Sequence, residues 1–271
     1  MVEARAVQPL GDLDGLEQQN HQLEQYLREM DFEAMSVEDI LRWAATTFPQ
    51  RAVINTSLQY SGVAMIHMAV EMGLDLRLAT IDTLRLHPET YDFIKEVEAH
   101  YSRTFEVYRP QAGPVHKMVE VHGEFLFFDS KFKQEHCCKV RKEWPNARLL
   151  KTVDCWITGV RRDQSSYRQD HTPKATLVPD ENGTKRKILK LNPLADWSEA
   201  RLRQYIGDHT VPTHPLYDQG YQSFGCIICS TPTRPDEAKR AGRWRWFNST
   251  NANASEDDNK ECGLHVPSYN I

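Results

Sequence analysis

Two cysteine pairs carry the most chemistry in this chain. Cys137-Cys138 are adjacent, Cys226 and Cys229 form a C-x-x-C turn far downstream, and Cys262 stands apart in Glu261-Cys262-Gly263-Leu264-His265. A C-x-x-C turn can aim two sulfurs at one centre, a geometry that serves zinc and iron–sulfur clusters alike. Adjacent cysteines differ, because neighbouring side chains on a helix point about 100° apart and meet on one small ion only through a local distortion. A cluster of several metal atoms is the easier target for such a pair; a single zinc ion and a structural or disulfide role stay open. The isolated Cys262 suggests a nucleophile.

The stretch before Cys262, Asn248 to Asn259, has no apolar residue larger than alanine, so it cannot bury a core face and is expected to be a mobile tether. A reactive cysteine on such a tail can visit two places in turn. Cys155, flanked by Val153, Trp156 and Ile157, reads instead as a buried strand residue. The first residues, Met1-Val2-Glu3-Ala4-Arg5, lack the basic-then-apolar run of a secretory signal. No segment approaches the ~20 apolar residues of a membrane span. A cytoplasmic protein is expected, in which thiols stay reduced or bind metal. With 271 residues, 40% of them hydrophobic, the chain can build one large core, and its net charge of −5 gives no case for nucleic-acid binding.

The elements that must hold these residues follow from the hydrophobic period. Residues 12–30, with Leu13, Leu16, Leu23 and Leu27 near helical spacing, read as an amphipathic helix for packing or for a homo-oligomer contact. Ser36-Val37-Glu38-Asp39 resembles a capping box. Ala52-Val53-Ile54 is a short strand, followed by a polar loop and a helix through Val63 to Val70. Leu76–Ile81, Thr104–Tyr108 and Cys155–Val160 are further strands, and Pro88 begins a helix. Strands alternating with helices imply an α/β fold with a mainly parallel sheet.

Ligands of such sheets bind beyond the carboxyl ends of the strands. Attention therefore falls on Thr56, Ser57, Ser61 and Gly62 after the first strand, on Asp82, Thr83 and Arg85 after the second, and on Arg161 and Arg162 after the fourth. Hydroxyls, a glycine and a helix N-terminus suit a phosphate, although neither G-x-x-x-x-G-K-[ST] nor G-x-G-x-x-G is present. Paired arginines can hold phosphate or sulfate through forked hydrogen bonds. Arg240 and Arg243, three apart in Arg-Ala-Gly-Arg-Trp, add a second group of cations.

From about Val53 to His265 the chain resembles the assimilatory sulfonucleotide reductases, which act on adenylyl sulfate (APS) or phosphoadenylyl sulfate (PAPS). The resemblance rests on Cys137-Cys138-Lys139-Val140-Arg141-Lys142, Trp156-Ile157-Thr158-Gly159-Val160-Arg161-Arg162-Asp163-Gln164-Ser165, Pro215-Leu216-Tyr217 leading to Gly225-Cys226-Ile227-Ile228-Cys229, Arg240-Ala241-Gly242-Arg243-Trp244 and Lys260-Glu261-Cys262-Gly263-Leu264-His265. It implies a nucleotide-binding α/β domain of the ATP-pyrophosphatase type over residues 51–246, an N-terminal helical segment over 1–50, and a flexible tail over 247–271. It also implies a [4Fe–4S] cluster on Cys137, Cys138, Cys226 and Cys229, with Cys262 as nucleophile.

On that pattern the Cys262 thiolate attacks the sulfate sulfur, assisted by His265, Lys142 and the arginines, and a thioredoxin or glutaredoxin then releases sulfite. The chain departs from the family in places. Its first loop lacks Gly-Ala-Glu-Asp, Leu84 replaces the glycine of Asp-Thr-Gly-Arg, and the tether before Cys262 is longer. The expected substrate is APS, with weaker discrimination against PAPS than where the acidic pair is present. Two other readings are a cluster-dependent nucleic-acid thiolation enzyme, which needs a Ser-Gly-Gly loop and basic surface missing here, and a zinc-binding nucleotide sensor.

Overall fold

The computed structural model describes residues 13–180 and 185–248. Two helices open it, α1 (Leu13–Glu29) and α2 (Val37–Thr47). The Ser36 side chain accepts from the Asp39 backbone N–H at 3.1 Å and so starts α2. Leu23 of α1 and Ile40, Leu41 and Ala44 of α2 are buried in the same core as Ile54, Met65 and Ile66. The N-terminal helices therefore share the core of the α/β unit.

The chain then alternates: β1 (Ala52–Asn55), α3 (Tyr60–Glu71), β2 (Arg77–Ile81), α4 (Pro88–Tyr101), β3 (Phe105–Tyr108) and α5 (Ala112–His122). Next come α6 (Lys131–Cys138), a π-helical turn (Lys139–Glu143), α7 (Trp144–Leu150), β4 (Cys155–Ile157), α8 (Ser166–His171), β5 (Ala175–Pro179), β6 (Lys187–Leu191) and α9 (Glu199–Asp208). Ala52, Val53 and Ile54 are all buried, as expected of a strand covered by helices on both faces. The sheet order is β3-β2-β1-β4-β6-β5. Its pairings are parallel, with Val53 opposite both Arg77 and Trp156, except for the antiparallel β5–β6 pair.

The parallel strands agree with the sequence expectation; the β5–β6 hairpin goes beyond it. Lys187 and Lys190 interrupt the apolar run of β6, and Lys190 is buried because its ammonium lies 4.9 Å from the centre of the Trp156 ring. Asn182-Gly183 between the two runs was the available signal for a hairpin.

A buried charge network ties α1 to the sheet. Asp154 accepts from Gln19 at 2.6 Å, from Arg186 at 2.6 Å and from Arg51 Nη2 at 2.8 Å. Burial pushes its carboxyl up, but the hydrogen bonds and charges of Arg51 and Arg186 outweigh this and hold it below the usual carboxylate range.

β1, β2 and β3 run outward in one direction and β4 starts on the other side of β1, so the connection order reverses between β1 and β4. That reversal opens a crevice beyond the carboxyl ends of the strands. At its mouth, the Thr56 hydroxyl accepts from the Leu58 N–H at 2.8 Å, and a Cβ on Gly62 would lie only 1.8 Å from that oxygen. Gly62 is thus required by the close approach of α3 to the β1 loop, and Gly62→Ala should cost about 1–3 kcal/mol of stability. Denaturant unfolding checks this; a wild-type midpoint in the variant would show that the loop can give way.

His214, 1% exposed, sits between Phe93 and Phe224, with Nε2 3.0 Å from the Thr90 hydroxyl and Nδ1 accepting from Leu216 N–H. Burial, with a smaller contribution from His87, lowers its pKa from 6.5 to about 4. Between those values the unfolded chain takes up a proton that the folded chain refuses, so stability falls as pH falls. At pH 5 the expected cost is about 2 kcal/mol. In His214→Gln the pH dependence of unfolding between 6.5 and 4 should lose about one proton; an unchanged slope would mean that other groups set it.

Candidate functional site

The crevice is a cavity of about 230 Å³ bounded by the loops after β1, β2 and β4 and by two cysteine-bearing segments. On the β4 side, Arg161 is 3% exposed and donates to Ser61 Oγ at 2.6 Å and to Asp163 at 3.0 Å. Its backbone N–H donates to Gln164 Oε1 at 3.0 Å. The first turn of α3 is steadied by Tyr217, whose hydroxyl accepts from Tyr60 N–H at 3.2 Å and whose ring stacks on Tyr60 at 3.7 Å. Thr56, Ser57, Ser61 and Gly62 all line the cavity.

The opposite wall is made of thiols. α6 is capped by Ser130, whose hydroxyl accepts from Lys133 N–H at 3.2 Å, and ends at Cys138, where the π turn begins. Both adjacent cysteines are thus in the α-helix, and the π distortion begins at the next residue, Lys139. The C-x-x-C segment is pinned to the β2 loop by a bridge between Leu86 and Cys226 and by Ile227 N–H donating to Arg85 O at 2.8 Å. Cys229 N–H donates back to Cys226 O at 2.9 Å, closing the turn.

Cys137, Cys138, Cys226 and Cys229 all line the cavity, and every described cysteine is a free thiol. Their sulfurs have polar neighbours: the Thr83 hydroxyl is 3.1 Å from Cys226, and Gln134 donates to Cys138 at 3.2 Å. Among the described residues, no three His, Cys, Asp or Glu side chains are gathered tightly enough for one metal ion. Burial pushes the Cys137 thiol up, against the nearby Arg141, and pushes Cys229 up to about 12. Such thiols are poor nucleophiles; a bound metal would deprotonate them outright. Cys155, fully buried in β4, is raised far above its ordinary value and lines no part of the cavity.

Cations surround the space between these walls. Eight Lys and Arg side chains line it, against one carboxylate, Glu199. Arg85 lies 5.2 Å above the Phe127 ring and donates to Glu124 O at 3.2 Å. Lys142 projects from the π turn. Arg240 and Arg243 belong to one tight turn in which Arg243 N–H donates to Arg240 O at 2.8 Å. Gly225 leaves room for the Arg243 guanidinium, since a Cβ there would lie 2.8 Å from Nη1.

Two residues expected at the site lie elsewhere. Arg162 is directed to Glu33 at 2.7 Å and to Thr172 O at 2.9 Å, outside the cavity, because the extended backbone of Arg161 gives way at Arg162 to a 3-10 turn (Arg162–Gln164). Asp82 braces the loop from behind, accepting from Leu84 N–H at 2.8 Å, Tyr91 at 2.9 Å and Arg109 at 2.9 Å. Thr83 and Arg85 do line the cavity, while Leu84 between them has φ +59° and is 48% exposed. That left-handed backbone favours glycine, which explains the residue type expected there. The sequence reading did not pick out Arg141, Arg168, Lys239 or Glu199. Arg141 is 6% exposed and donates to Thr83 O at 3.1 Å, joining the cysteine helix to the β2 loop. Its place beside Lys142 in the Cys-Cys-Lys-Val-Arg-Lys segment was the available signal. Cys262 and His265 lie outside the described residues.

Comparison with known proteins agrees with this geometry. The phosphoadenosine phosphosulfate reductase domain model matches residues 51–232. The adenosine 5'-phosphosulfate reductase of Rhizobium tropici is 40% identical over 186 residues, covering 69% of this chain and 96% of that protein. The enzyme of the same name from Burkholderia cepacia is 37% identical over 211 residues, 78% of this chain and 79% of that protein. Among solved structures, the phosphoadenylyl-sulfate (PAPS) reductase of Candida auris in its phosphate complex superposes with a TM-score of 0.61 at 26% identity, covering 83% of this chain and all of that one. With a matched domain, relatives above 30% identity and a shared parallel-sheet fold, the chain belongs to the phosphoadenosine phosphosulfate reductase domain family.

Proposed function

We propose that the protein is a thiol-dependent adenylyl-sulfate reductase that forms sulfite and AMP through a sulfonated Cys262. The observation that carries this reading is one cavity lined both by four free thiols and by eight basic side chains at the reversal point of a nucleotide-binding sheet. Relatives named adenosine 5'-phosphosulfate reductase support it.

The cationic lining suits the phosphosulfate of the substrate. The Arg240–Arg243 turn, beside the C-x-x-C segment, is placed to donate to anionic oxygens and to offset charge as a thiolate approaches sulfur. In the proposed reaction the Cys262 thiolate attacks the sulfate sulfur; a sulfur–sulfur bond forms, and the bond from sulfur to the AMP oxygen breaks, its electron pair leaving with AMP. His265 and the arginines favour the thiolate. A dithiol of the thioredoxin or glutaredoxin type then attacks Cys262 Sγ and expels sulfite. Its second thiol displaces Cys262, leaving the dithiol oxidised to a disulfide. The two electrons come from the dithiol, so the balance closes without another redox group.

Cys137, Cys138, Cys226 and Cys229 suit a [4Fe–4S] cluster. They are reduced, they line one wall, and the Thr83 and Gln134 side chains contact two of the sulfurs, as hydrogen-bonding groups around such clusters do. When bound, the cluster would fix the wall and set its charge. No described helix is long and apolar enough to cross a membrane.

Cys262→Ser should retain iron and nucleotide binding and lose sulfite formation entirely; residual turnover would move the nucleophile elsewhere. Replacing Cys137 by Ala should lower iron and sulfide from about four each per chain and remove most activity, with a folded sheet retained. An iron-free Cys137→Ala protein with full activity would refute the cluster assignment.

A further inference from the structure

The cavity has two chemically different ends. The four thiols, Thr83 and Arg85 make one; the reversal point between β1 and β4, where Arg161 bonds Ser61, makes the other. If sulfur chemistry happens beside the thiols, the nucleoside lies toward the reversal point. The single carboxylate of the described lining, Glu199, is at that end. It is the first residue of α9, where Ser198 caps the helix by accepting from Arg201 N–H and Asp163 accepts from Glu199 N–H at 2.6 Å. These contacts fix its side chain: Oε2 is 2.6 Å from Lys239 Nζ and 3.5 Å from Arg161 Nη2, and Oε1 is 2.8 Å from Arg203 Nε.

Burial pushes the Glu199 carboxyl up, but hydrogen bonds and charges from Lys239 and Arg203 outweigh it, so it stays below the usual carboxylate range and is anionic near neutral pH. An acid in a cavity built from cations has a selective effect. It occupies Arg161 and Lys239, which an additional phosphate would otherwise use, and it repels that phosphate, which carries nearly two charges. A nucleotide whose charge is confined to the 5' side avoids both penalties. The loop of residues 56–62 contains no acidic residue that could do this.

We propose that Glu199 is a specificity-determining residue that disfavours nucleotides with a phosphate on the ribose, selecting adenylyl sulfate over its 3'-phosphorylated form. The inference rests on the reductase reading above and assigns its substrate preference to α9. Discrimination here comes from an unfavourable contact with the wrong ligand.

The test is kcat/KM for both nucleotides, together with calorimetric affinities for AMP and adenosine 3',5'-bisphosphate, in the holoenzyme. Wild type should prefer the substrate and product that lack the 3'-phosphate. Glu199→Gln, nearly isosteric, should reduce that preference about tenfold in both ratios, equivalent to about 1.4 kcal/mol. Lys239→Gln, which removes a neutralising partner, should strengthen the preference. Glu29→Gln, the same charge change on the far exposed surface of α1, should leave both ratios alone. Equal ratios in wild type and Glu199→Gln would overturn the proposal, as would a wild type that does not discriminate. A wild type that releases sulfite from neither nucleotide would overturn the reductase reading, and the two affinities would still decide the role of Glu199.

Discussion

The site depends on holding cations close together before any anion arrives. Arg141 and Arg161 are 6% and 3% exposed, and Arg85 adds a positive charge near Arg141. Burial and then Arg85 lower the Arg141 pKa, while the Cys137 and Cys226 thiols act in the opposite sense. Like charges under partial burial are stable only where other groups face them. Here those groups are the Thr83 carbonyl, the Phe127 ring under Arg85, Ser61 and Glu199 beside Arg161, and the thiol wall. These partners come from separate segments, the β2 loop, the turn before α6, the first turns of α3 and α9 and the cysteine-bearing segments, so the electrostatics of the site and the packing of those segments are one problem.

The sheet supplies the solution through topology. Reversal between β1 and β4 leaves a gap beyond the strands, and the loops that border it are short and tightly bonded. Thr56 holds Leu58, Arg161 holds Ser61, and Arg141 ties the π turn to the β2 loop. Gly62 and Gly225 are needed where backbone must pass within contact distance of a side chain. The C-x-x-C turn hangs from the same β2 loop through Leu86 and Arg85, which places thiols and nucleotide loop on one cavity although they are far apart in sequence.

Much of this was legible in the residues. Ala52-Val53-Ile54 is an apolar run too short for a helix, Pro88 marks a helix start, and the two cysteine pairs singled out in the sequence line one cavity. What escaped depends on tertiary contacts that no local pattern encodes. Lys190 sits buried in the sheet between Trp156 and Thr176, with its ammonium 4.9 Å from the Trp156 ring centre. Arg162 looks equivalent to Arg161 until the change from extended backbone to a 3-10 turn directs one to Ser61 and the other to Glu33. Glu199 looks like an ordinary acid at a helix start, a position that the helix dipole favours anyway. Leu84 signalled a departure from its family, and its left-handed backbone gives the reason that glycine is the expected residue.

The central claim is that the thiol wall and the cationic nucleotide cavity are one site. Visible circular dichroism of the anaerobically purified holoprotein during titration with adenylyl sulfate tests it most directly. The account predicts an iron–sulfur signal that changes saturably with nucleotide, because the same cavity binds both. An iron–sulfur signal indifferent to saturating nucleotide, or protein without iron that binds the nucleotide equally well, would contradict it.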